Sequence, residues 1–360
     1  MKWLNLFRKN IDNPEEISLG ILKKRWQKFK TMKRGYYSFV VLVTLYIISF
    51  FLPFLINNRA IIVKYEDNVY FPVIQGYFHG STFGQDVPGE TNYRILRETW
   101  KSENSRNWLI LPPYPYSPYE DITVEGNKMF DPPSSDRWLG TDNTGRDVFA
   151  RLCYAFNISI SFALVLTVLN YIIGILIGGA MGYFGGKFDL FFQRIIEIWS
   201  SMPILYVIII LVSIMKPSFL LLIGIYTIVN WISMTYLMRA EFYREKSKDY
   251  VAAALSMGQS DFKVMFKHIL PNSLVPVITF FPFAVVQGIL ALVGLDYLGF
   301  GMPPPTPSWG QMLDVGLSNI TKWWMVFAPV TAQFLTLLCI VFIGEGVREA
   351  FDPKVYSRLR

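Results

Sequence analysis

Long apolar runs alternate with polar segments along the chain, and each run has the length of a membrane-crossing helix. About 20 consecutive apolar residues are needed to cross a hydrocarbon layer of roughly 30 Å. Runs of this kind occupy residues 37–56, 157–183, 195–215, 219–238, 274–293 and 323–344. The pattern predicts an all-α integral membrane protein with six transmembrane helices and with both termini on one side of the membrane.

The composition supports this interpretation, since 52% of the 360 residues are hydrophobic and only 17% are charged. Soluble domains of this size are rarely so apolar. Asn57, Asn58 and Arg59 follow the first run where a signal peptide would have a small-residue cleavage site, so we expect this run to remain as a helix. Cys153 and Cys339 lie in or beside apolar runs and predict no disulfide framework.

Lysine and arginine side chains set the predicted orientation. The net charge is +7, and most of the basic excess flanks the apolar runs, which favours membrane-flanking charge over a nucleic-acid surface. Because basic residues are retained in the cytoplasm, both termini are predicted to be cytoplasmic. The residues on that side are Lys23, Lys24, Arg25, Lys28, Lys30, Lys33 and Arg34, then Lys187, Arg239, Arg244, Lys246, Lys248, Lys263 and Lys267, and finally Arg348, Lys354, Arg358 and Arg360.

Two polar segments flank the first run. Residues 1–36 interleave the basic cluster with apolar side chains such as Ile17, Trp26 and Phe29, which predicts an amphipathic helix on the inner leaflet. Residues 57–156 are rich in Tyr, Pro, Asn and Ser and are about as long as a small domain. Prolines at 112, 113, 115 and 118 remove backbone donors there, so we expect an irregular, aromatic-anchored extracytoplasmic subdomain on the membrane surface.

The cytoplasmic loop at 249–272 has the pattern of two short amphipathic helices joined at Gly258. Alanines give the first helix little side-chain bulk, and glycine adopts the backbone conformation that ends a helix. Asp261 is placed to cap a second helix that carries Phe262, and Pro271 permits re-entry into the membrane. The pattern predicts a knob that another protein approaches closely; an ordinary cytoplasmic loop is the alternative.

This loop resembles the signature of binding-protein-dependent ABC permeases, which is Glu-Ala-Ala, three residues, Gly, and later an Ile-x-Leu-Pro ending. The chain has Ala252 where that family usually has Glu, and His268 where the simplest consensus has Ile. At Ala252 the chain lacks the glutamate carboxylate that would make one charged contact with a partner protein in that family. The resemblance implies that the knob is a coupling helix that docks in a groove on an ATPase. The candidate coupling residues are Ala252, Ala253, Ala254, Gly258, Asp261, Phe262, Ile269, Leu270 and Pro271.

A second resemblance concerns the segment before the second run. The sequence Trp-Leu-Gly-Thr-Asp at 138–142, with Gly-Arg-Asp-Val-Phe-Ala-Arg-Leu at 145–152, is similar to the pre-helix motif of C-type subunits of dipeptide and oligopeptide permeases. Asp142, Gly145 and the Arg146–Asp147 pair suit a capped, bent entry into the bilayer, so anchoring is favoured over solute contact.

Further runs that agree with the same family lie at 182–186, 303–310 and 351–353. The enlarged segment, with Pro-Pro-Tyr-Pro-Tyr at 112–116, is similar to the branch that imports microcin C, a peptide-nucleotide, together with oligopeptides.

The resemblance implies the type I ABC importer permease fold, in the bacterial inner membrane. The expected organisation is a first helix at 37–56, an extracytoplasmic insertion at 57–156, a permease core at 157–346 and a cytoplasmic tail at 347–360. Expected partners are a homologous B-type permease in a heterodimer, ABC ATPase subunits, an extracytoplasmic solute-binding protein and membrane lipid. ATP and Mg would be bound by the ATPases, so we expect no cofactor, metal or catalytic residue in this chain. The expected solutes are oligopeptides or peptide-like molecules.

An ATPase or a metal site fits the residues less well. A phosphate-binding loop needs Gly, four residues, then Gly-Lys and Ser or Thr. Gly186 and Lys187 are followed by Phe188, so that loop is not formed there. His79 and His268 are predicted on opposite sides of the membrane and therefore do not form a metal-binding pair.

A secondary carrier or channel is the alternative function, and a membrane scaffold is a third. Proton-coupled carriers need titratable groups at membrane depth, whereas Glu197, the main charge in a run, lies one turn from Arg194 and is expected to pair with it. A scaffold would not need the knob. Uncharged polar residues in the runs either line a solute path or hydrogen-bond from helix to helix; they are Asn170, Asn230, Gln287 and Gln333.

Overall fold

The structure is a computed structural model, and it describes residues 21–87, 89–124 and 126–352. Most of the predicted amphipathic segment, including Ile17, lies outside the described residues, as does the tail from residue 353 onward. Helix α1 is Ile21–Thr31 and helix α2 is Lys33–Ser49. Residues 33–36 therefore belong to α2, and not to a separate surface helix as predicted.

The first predicted crossing, 37–56, is divided. After α2 ends at Ser49, a separate helix α3 occupies Leu52–Leu55. Pro53 lies in the first turn of α3. Proline has no N–H to donate and disfavours a helical conformation in the residue before it, so the apolar run does not continue as one helix. Apolar composition predicted the run correctly, and the break follows from this single proline.

A small folded unit, residues 57–147, follows α3; it is called the external unit below, after the side of the membrane predicted for it. It contains strands β1 (Ile62–Tyr65) and β2 (Asn68–Tyr70), helix α4 (Pro72–Gln75), a 3-10 turn (Gly80–Phe83), helix α5 (Tyr93–Ser102) and strand β3 (Trp108–Ile110). The sheet order is β2-β1-β3 with both pairings antiparallel, and Val63 lies opposite Tyr70 on one side and Leu109 on the other.

The external unit has its own apolar core. Asn92 caps α5 by accepting a hydrogen bond from the backbone N–H of Ile95, and one face of α5 packs against the sheet. The buried side chains are Ala60, Val63, Phe83, Tyr93, Leu96 and Trp100. The prediction of an irregular subdomain is therefore wrong here, and the all-α class does not extend to this unit: Phe83, Tyr93 and Trp100 form the interior of a sheet-and-helix unit.

The remaining helices form the apolar part of the chain. They are α6 (Val148–Phe184), α7 (Gly186–Ser200), α8 (Ile204–Ile214), α9 (Phe219–Asn230), α10 (Ile232–Lys246), α11 (Asp249–Ser256), α12 (Asp261–Lys263), a π-helical turn (Val264–Ile269), α13 (Leu270–Tyr297), α14 (Trp309–Ser318) and α15 (Trp323–Phe351). Helix α6 begins at Val148, earlier than the predicted residue 157, because the Asp147 side chain caps it by accepting from the Ala150 N–H at 2.8 Å.

By length and composition, α6, the continuous helix Asp261–Tyr297 and α15 are able to cross a membrane. Up to five crossings result if each bent pair is one span: α7 with α8, bent by 71°, and α9 with α10, bent by 43°. Pro203 stands directly before α8 and explains the first bend. The predicted runs 195–215 and 219–238 are thus each divided in two, and the count of six helices stays a prediction.

Helices α6 and α10 make the most extensive contact in the core, through glycines spaced four residues apart. A Cβ added to Gly174 would lie 2.6 Å from the Met234 Cβ, and one added to Gly178 would lie 2.3 Å from the Thr235 carbonyl oxygen. At Gly182 the corresponding distance to the Arg239 carbonyl oxygen is 2.4 Å. Small residues at this spacing let two membrane helices approach along their backbones. The spacing Gly174, Gly178 and Gly182 is visible in the sequence and is the signal of this contact.

Candidate functional site

The knob is formed by α11 and the turn that follows it. Gly258 has a φ of +75°, in the left-handed region that glycine favours. Its N–H donates to the Leu255 carbonyl at 2.9 Å, and the Gln259 N–H donates to the Ala254 carbonyl at 3.2 Å. These two bonds close the end of the helix as a Schellman motif. The helix-ending conformation expected of Gly258 is present.

The second half of the loop differs from the prediction at Asp261. Ser260, with extended backbone, occupies the capping position, and its side chain makes no capping bond. Asp261 lies in the first turn of α12, where its Oδ1 accepts a hydrogen bond from the Tyr183 hydroxyl at 2.6 Å. The predicted cap is therefore wrong, because the carboxylate is used to bind the end of α6.

The helix continues from α12 into α13 through the π-helical turn. Leu270 and Pro271 begin α13. Proline has no N–H to donate to the carbonyl four residues earlier, and the wider turn lies directly before it, where that α-helical bond is missing. Pro271 thus shapes the entry into the helix without breaking it.

The candidate coupling residues separate into two groups by burial. Ala254 and Ile269 are buried, in one cluster with Val251 and Val264, and hold the loop on the bundle. The exposed candidates are Ala252, Ala253, Gly258, Asp261, Phe262 and Pro271, and Leu270 is half-buried. The outer surface of the knob therefore comes from the alanine face of α11 and from the turn, while Ala254 faces inward.

Two apolar side chains dominate this outer surface. Phe262 and Met257 are each 71% exposed, and the Phe262 ring lies 4.4 Å from that of the half-buried Phe266. Large apolar side chains exposed on a polar loop mark protein contact sites. Sequence reasoning missed Met257; the signal was an apolar residue directly before the glycine that ends the helix.

Polar contacts fix the knob to α6 and α10. The Lys246 Nζ donates to the Tyr183 carbonyl at 2.5 Å, and this tyrosine also binds Asp261 through its hydroxyl. The buried Glu245 accepts from Lys248 Nζ at 2.6 Å and from the Tyr250 hydroxyl at 2.9 Å. Since Tyr183 lies at the last turn of α6 and the external unit at its first, the knob lies at the opposite end of a helix about 55 Å long.

A cavity of about 630 Å³ lies between α6, α9, α10 and α13. Asn170, Asn230 and Gln287 line it, beside aromatic side chains that include Tyr171 and Phe283. The fourth candidate, Gln333 on α15, is not among its lining residues. The structure thus brings three of the four predicted residues of the solute path together.

These polar side chains do not join the helices to one another in the part of the chain that the structure describes. The Oδ1 atom of Asn170 is buried and has no hydrogen-bond partner there. Asn230 and Gln287 line the cavity and are exposed. A buried amide without a partner is costly, so its presence at a cavity wall favours a ligand-facing role over a helix-joining one.

The segment before α6 is held by protein contacts. Asp142 accepts from the Arg146 Nε at 2.8 Å, and the buried Arg151 approaches the same carboxylate at 3.6 Å. Asp147 accepts from the Tyr114 hydroxyl at 2.8 Å in addition to capping α6. Because these charged groups have partners within the chain, their arrangement supports the anchoring role favoured by the sequence.

A buried carboxylate at the end of α13 anchors the proline-rich loop that follows. Asp296 accepts from the Ser308 hydroxyl at 2.5 Å and from the Met302 N–H at 2.6 Å. Ser308 in turn caps α14. Asp296 lies just past the predicted run 274–293, so the pattern of apolar residues did not indicate it. Glu197, by contrast, forms the expected ion pair with Arg194 at 2.5 Å, and both side chains are exposed.

Comparison of the sequence with known proteins assigns the chain to a family. Residues 174–357 match the family model described as binding-protein-dependent transport system inner membrane component. The chain is 37% identical over 362 residues to the peptidoglycan transport system permease protein YejE of Agrobacterium fabrum, with 92% of this chain and 93% of the relative covered.

Two further relatives agree. The inner membrane ABC transporter permease protein YejE of Escherichia coli is 38% identical over 333 residues, covering 92% of this chain and 96% of the relative. The dipeptide transport system permease protein DppC of Bacillus subtilis is 35% identical over 241 residues, covering 66% and 75%. The chain therefore belongs to the inner membrane components of binding-protein-dependent transport systems, and it is a permease subunit of an ABC importer.

Proposed function

We propose that this permease carries oligopeptides or peptide-like solutes, including peptidoglycan fragments and peptide-nucleotides of the microcin C kind. Two of its relatives are named as permeases of peptidoglycan and dipeptide transport systems, which supports this solute class. The single observation in the structure that carries the proposal is the cavity beside Asn170. Amide side chains with aromatic neighbours suit a solute with amide bonds, because they supply both donors and acceptors without fixed charge.

The cavity needs a second subunit to become a path. Asn230 and Gln287 line it and are exposed, and a homologous B-type permease packed over them would close it. An extracytoplasmic solute-binding protein would deliver the solute on the side of the external unit. ABC ATPase subunits, as two chains or one fused chain, would bind ATP and Mg and dock on the knob.

The contacts around Tyr183 suggest how ATP binding acts on the path. Closure of the docked ATPases would displace α11, and Asp261 and Lys246 would carry that displacement to the end of α6. The glycine contact with α10 would make the two helices move together. Asn170 lies on α6 and Ser233 on α10, and both line the cavity, so the movement would favour one opening of the path over the other.

The orientation that this mechanism requires has the knob in the cytoplasm. Basic side chains on α1 and at the ends of α10 and α12 support this orientation, because lysine and arginine are retained in the cytoplasm. The test uses single cysteines at the exposed Ser102, in α5, and Ser256, in α11, in a background without Cys153 and Cys339. An impermeant thiol reagent is expected to label the first in intact spheroplasts and the second only after lysis. The reverse result would contradict the orientation.

Coupling is tested at Phe262 and Gly258. Phe262→Ala removes the largest exposed apolar group and is expected to abolish solute-stimulated ATP hydrolysis and uptake while the permease still pairs with its partner. An added Cβ at Gly258 meets no atom of this chain within 4 Å, so Gly258→Val acts through its positive φ, at roughly 1–2 kcal/mol, and through any docked partner.

The control for both variants is Ile320→Ala, at the other end of the molecule, where the side chain is 69% exposed. Uptake and ATPase activity are measured per assembled complex in reconstituted vesicles. Wild-type uptake by both knob variants would exclude this loop as the coupling element.

Solute class is tested separately, at the cavity. Asn170→Leu, with Gln333→Leu as the control outside the cavity, is expected to lower uptake of a tripeptide at least tenfold. Its ATPase docking should remain normal. Equal uptake by the two variants would remove the cavity from the solute path.

A further inference from the structure

A second cavity, apolar and of about 560 Å³, lies between helices on the knob side of the molecule. Side chains from α1, α2, α6, α13 and α15 line it, including Phe39, Leu42, Val43, Leu164, Phe281 and Ile340. It is separate from the polar cavity, with which it shares no lining residue. Its volume falls within the range of small-ligand pockets, about 300–1,000 Å³.

This apolar cavity is called the groove below, and the basic helix α1 closes one end of it. Phe29 is buried against Gly35 and Gly346, and Lys28 donates to the Glu349 carbonyl at 2.8 Å, so α1 is fixed on the end of α15. Over Ile21–Thr31 the helix carries five basic residues and no acidic one. The closed end of an otherwise apolar groove is therefore positively charged.

Arg25 is the single charged side chain that lines the groove in the part of the chain that the structure describes. Its guanidinium group lies 4.6 Å from the centre of the Phe351 ring, and within residues 21–87, 89–124 and 126–352 it has no carboxylate partner. The ring holds the guanidinium at the groove end, and its N–H groups donate to no atom of the described residues. Five donors in a planar fork match a phosphate group.

We propose that this groove binds an anionic phospholipid, with one acyl chain between α2 and α13 and the phosphate on Arg25. Charge complementarity selects this occupant: the groove is apolar along its length and basic at one end, and basic pockets between membrane helices bind anionic headgroups. An apolar helix of the partner permease would match the apolar wall but would supply no counter-charge to Arg25. The proposal does not depend on which solute the permease carries.

The test measures phosphatidylglycerol and phosphatidylcholine retained by the intact importer, using native mass spectrometry after purification from mixed vesicles. Arg25→Ala is expected to lower retained phosphatidylglycerol about fivefold and to leave phosphatidylcholine unchanged. Lys24→Ala removes an equal charge from an exposed position outside the groove and is the matched control. Arg25→Lys keeps the charge without the planar fork and should therefore retain more phosphatidylglycerol than Arg25→Ala and less than wild type.

A second pair of variants tests the acyl chain. Val43→Trp fills the groove, whereas Val41→Trp makes the same change on α2 at an exposed position that does not line it. Only the first is expected to lose the bound lipid, with unchanged subunit yield and thermal unfolding. Equal retention within either pair would overturn the proposal. Lipid bound by the isolated chain but absent from the intact importer would also overturn it. The same holds if lipid binds only after residues 1–20 are removed.

Discussion

The external unit and the helical core are stabilised by different interactions. In the external unit, Arg94 binds Glu120 through two hydrogen bonds of 2.9 Å, with only 16% and 8% of the side chains exposed. In the core, α6 and α10 meet along their backbones at Gly174, Gly178 and Gly182.

The difference follows from the two solvents. A unit of this size in water buries too little apolar surface to rely on it alone, and polar networks help to specify its fold. Inside a membrane, lipid tails are as apolar as leucine, so helices associate through close packing. The comparison teaches that the residues most sensitive to mutation should be charged in one region and glycine in the other.

The largest effect is expected in the core, from Gly178→Val. The Thr235 carbonyl oxygen lies 2.3 Å from an added Cβ and belongs to the backbone of α10, so the two helices must separate. We expect a loss of more than about 3 kcal/mol in the free energy of unfolding, and little folded protein.

The matched control is Gly224 on α9, where an added Cβ meets nothing within 4 Å. Gly178→Ala and Gly224→Ala are compared by thermal unfolding of the purified chain in detergent. Only the first should be destabilised, because the second removes a glycine from a helix interior without a clash. Equal unfolding temperatures would show that the close approach does not stabilise the core.

A smaller loss is expected in the external unit, from Glu120→Ala. The variant removes the two hydrogen bonds from the Arg94 guanidinium to Glu120, leaves it the one to the Pro115 carbonyl, and removes the acceptor of the Ser117 N–H. We expect about 2–3 kcal/mol of destabilisation, since the pair is mostly buried. Glu197→Ala breaks the exposed pair with Arg194 and should cost under about 1 kcal/mol. If both variants lose the same stability, burial does not distinguish the two pairs.

Much of the helical architecture was predictable, because a helix that crosses a membrane needs an apolar run of about 20 residues, and such runs are visible in the sequence. The conformation of Gly258 was also predictable, since its place between two amphipathic patterns favours a positive φ. The strands of the external unit were not, because β1, β2 and β3 have three or four residues each, too few to establish an alternating pattern.

The candidate site was predictable in part. Polar residues inside apolar runs pointed to the cavity, but sequence spacing does not say which of them share a wall, and Gln333 lies elsewhere on α15. Asp261 had the sequence position of a cap, and its tertiary partner Tyr183 decided its actual contact. Long-range partners of this kind are set by how α6 packs, which no local pattern contains.

The smallest expected effect concerns Asp147, where the two regions join. It lies outside the span of α6, as its cap, and burial raises the pKa of this carboxyl to about 6, although the Ala150 N–H, the Tyr114 hydroxyl and Arg137 act in the opposite direction. An unfolded aspartate has a pKa of about 4. The folded protein therefore holds this proton more tightly than the unfolded chain, and the stability that the group contributes falls as pH rises from about 4 to about 6.

Asp147→Asn keeps one oxygen, which can accept the capping bond from the Ala150 N–H, since asparagine is a good helix cap, but it cannot ionise. Its amide nitrogen replaces the oxygen that accepts from the Tyr114 hydroxyl, so that bond is lost at every pH. Relative to wild type, the variant should therefore gain about 1–2 kcal/mol of stability between pH 4.5 and pH 7.5. Asp121→Asn is the control with the opposite sign, because the Thr123 hydroxyl and N–H lower the pKa of Asp121 and its contribution is lost on acidification. Both are measured as unfolding temperature against pH in detergent. A difference between Asp147→Asn and wild type that stays constant over this range would mean that the carboxyl at the junction of the two regions is ionised throughout, and that its burial is fully offset by the bonds it accepts.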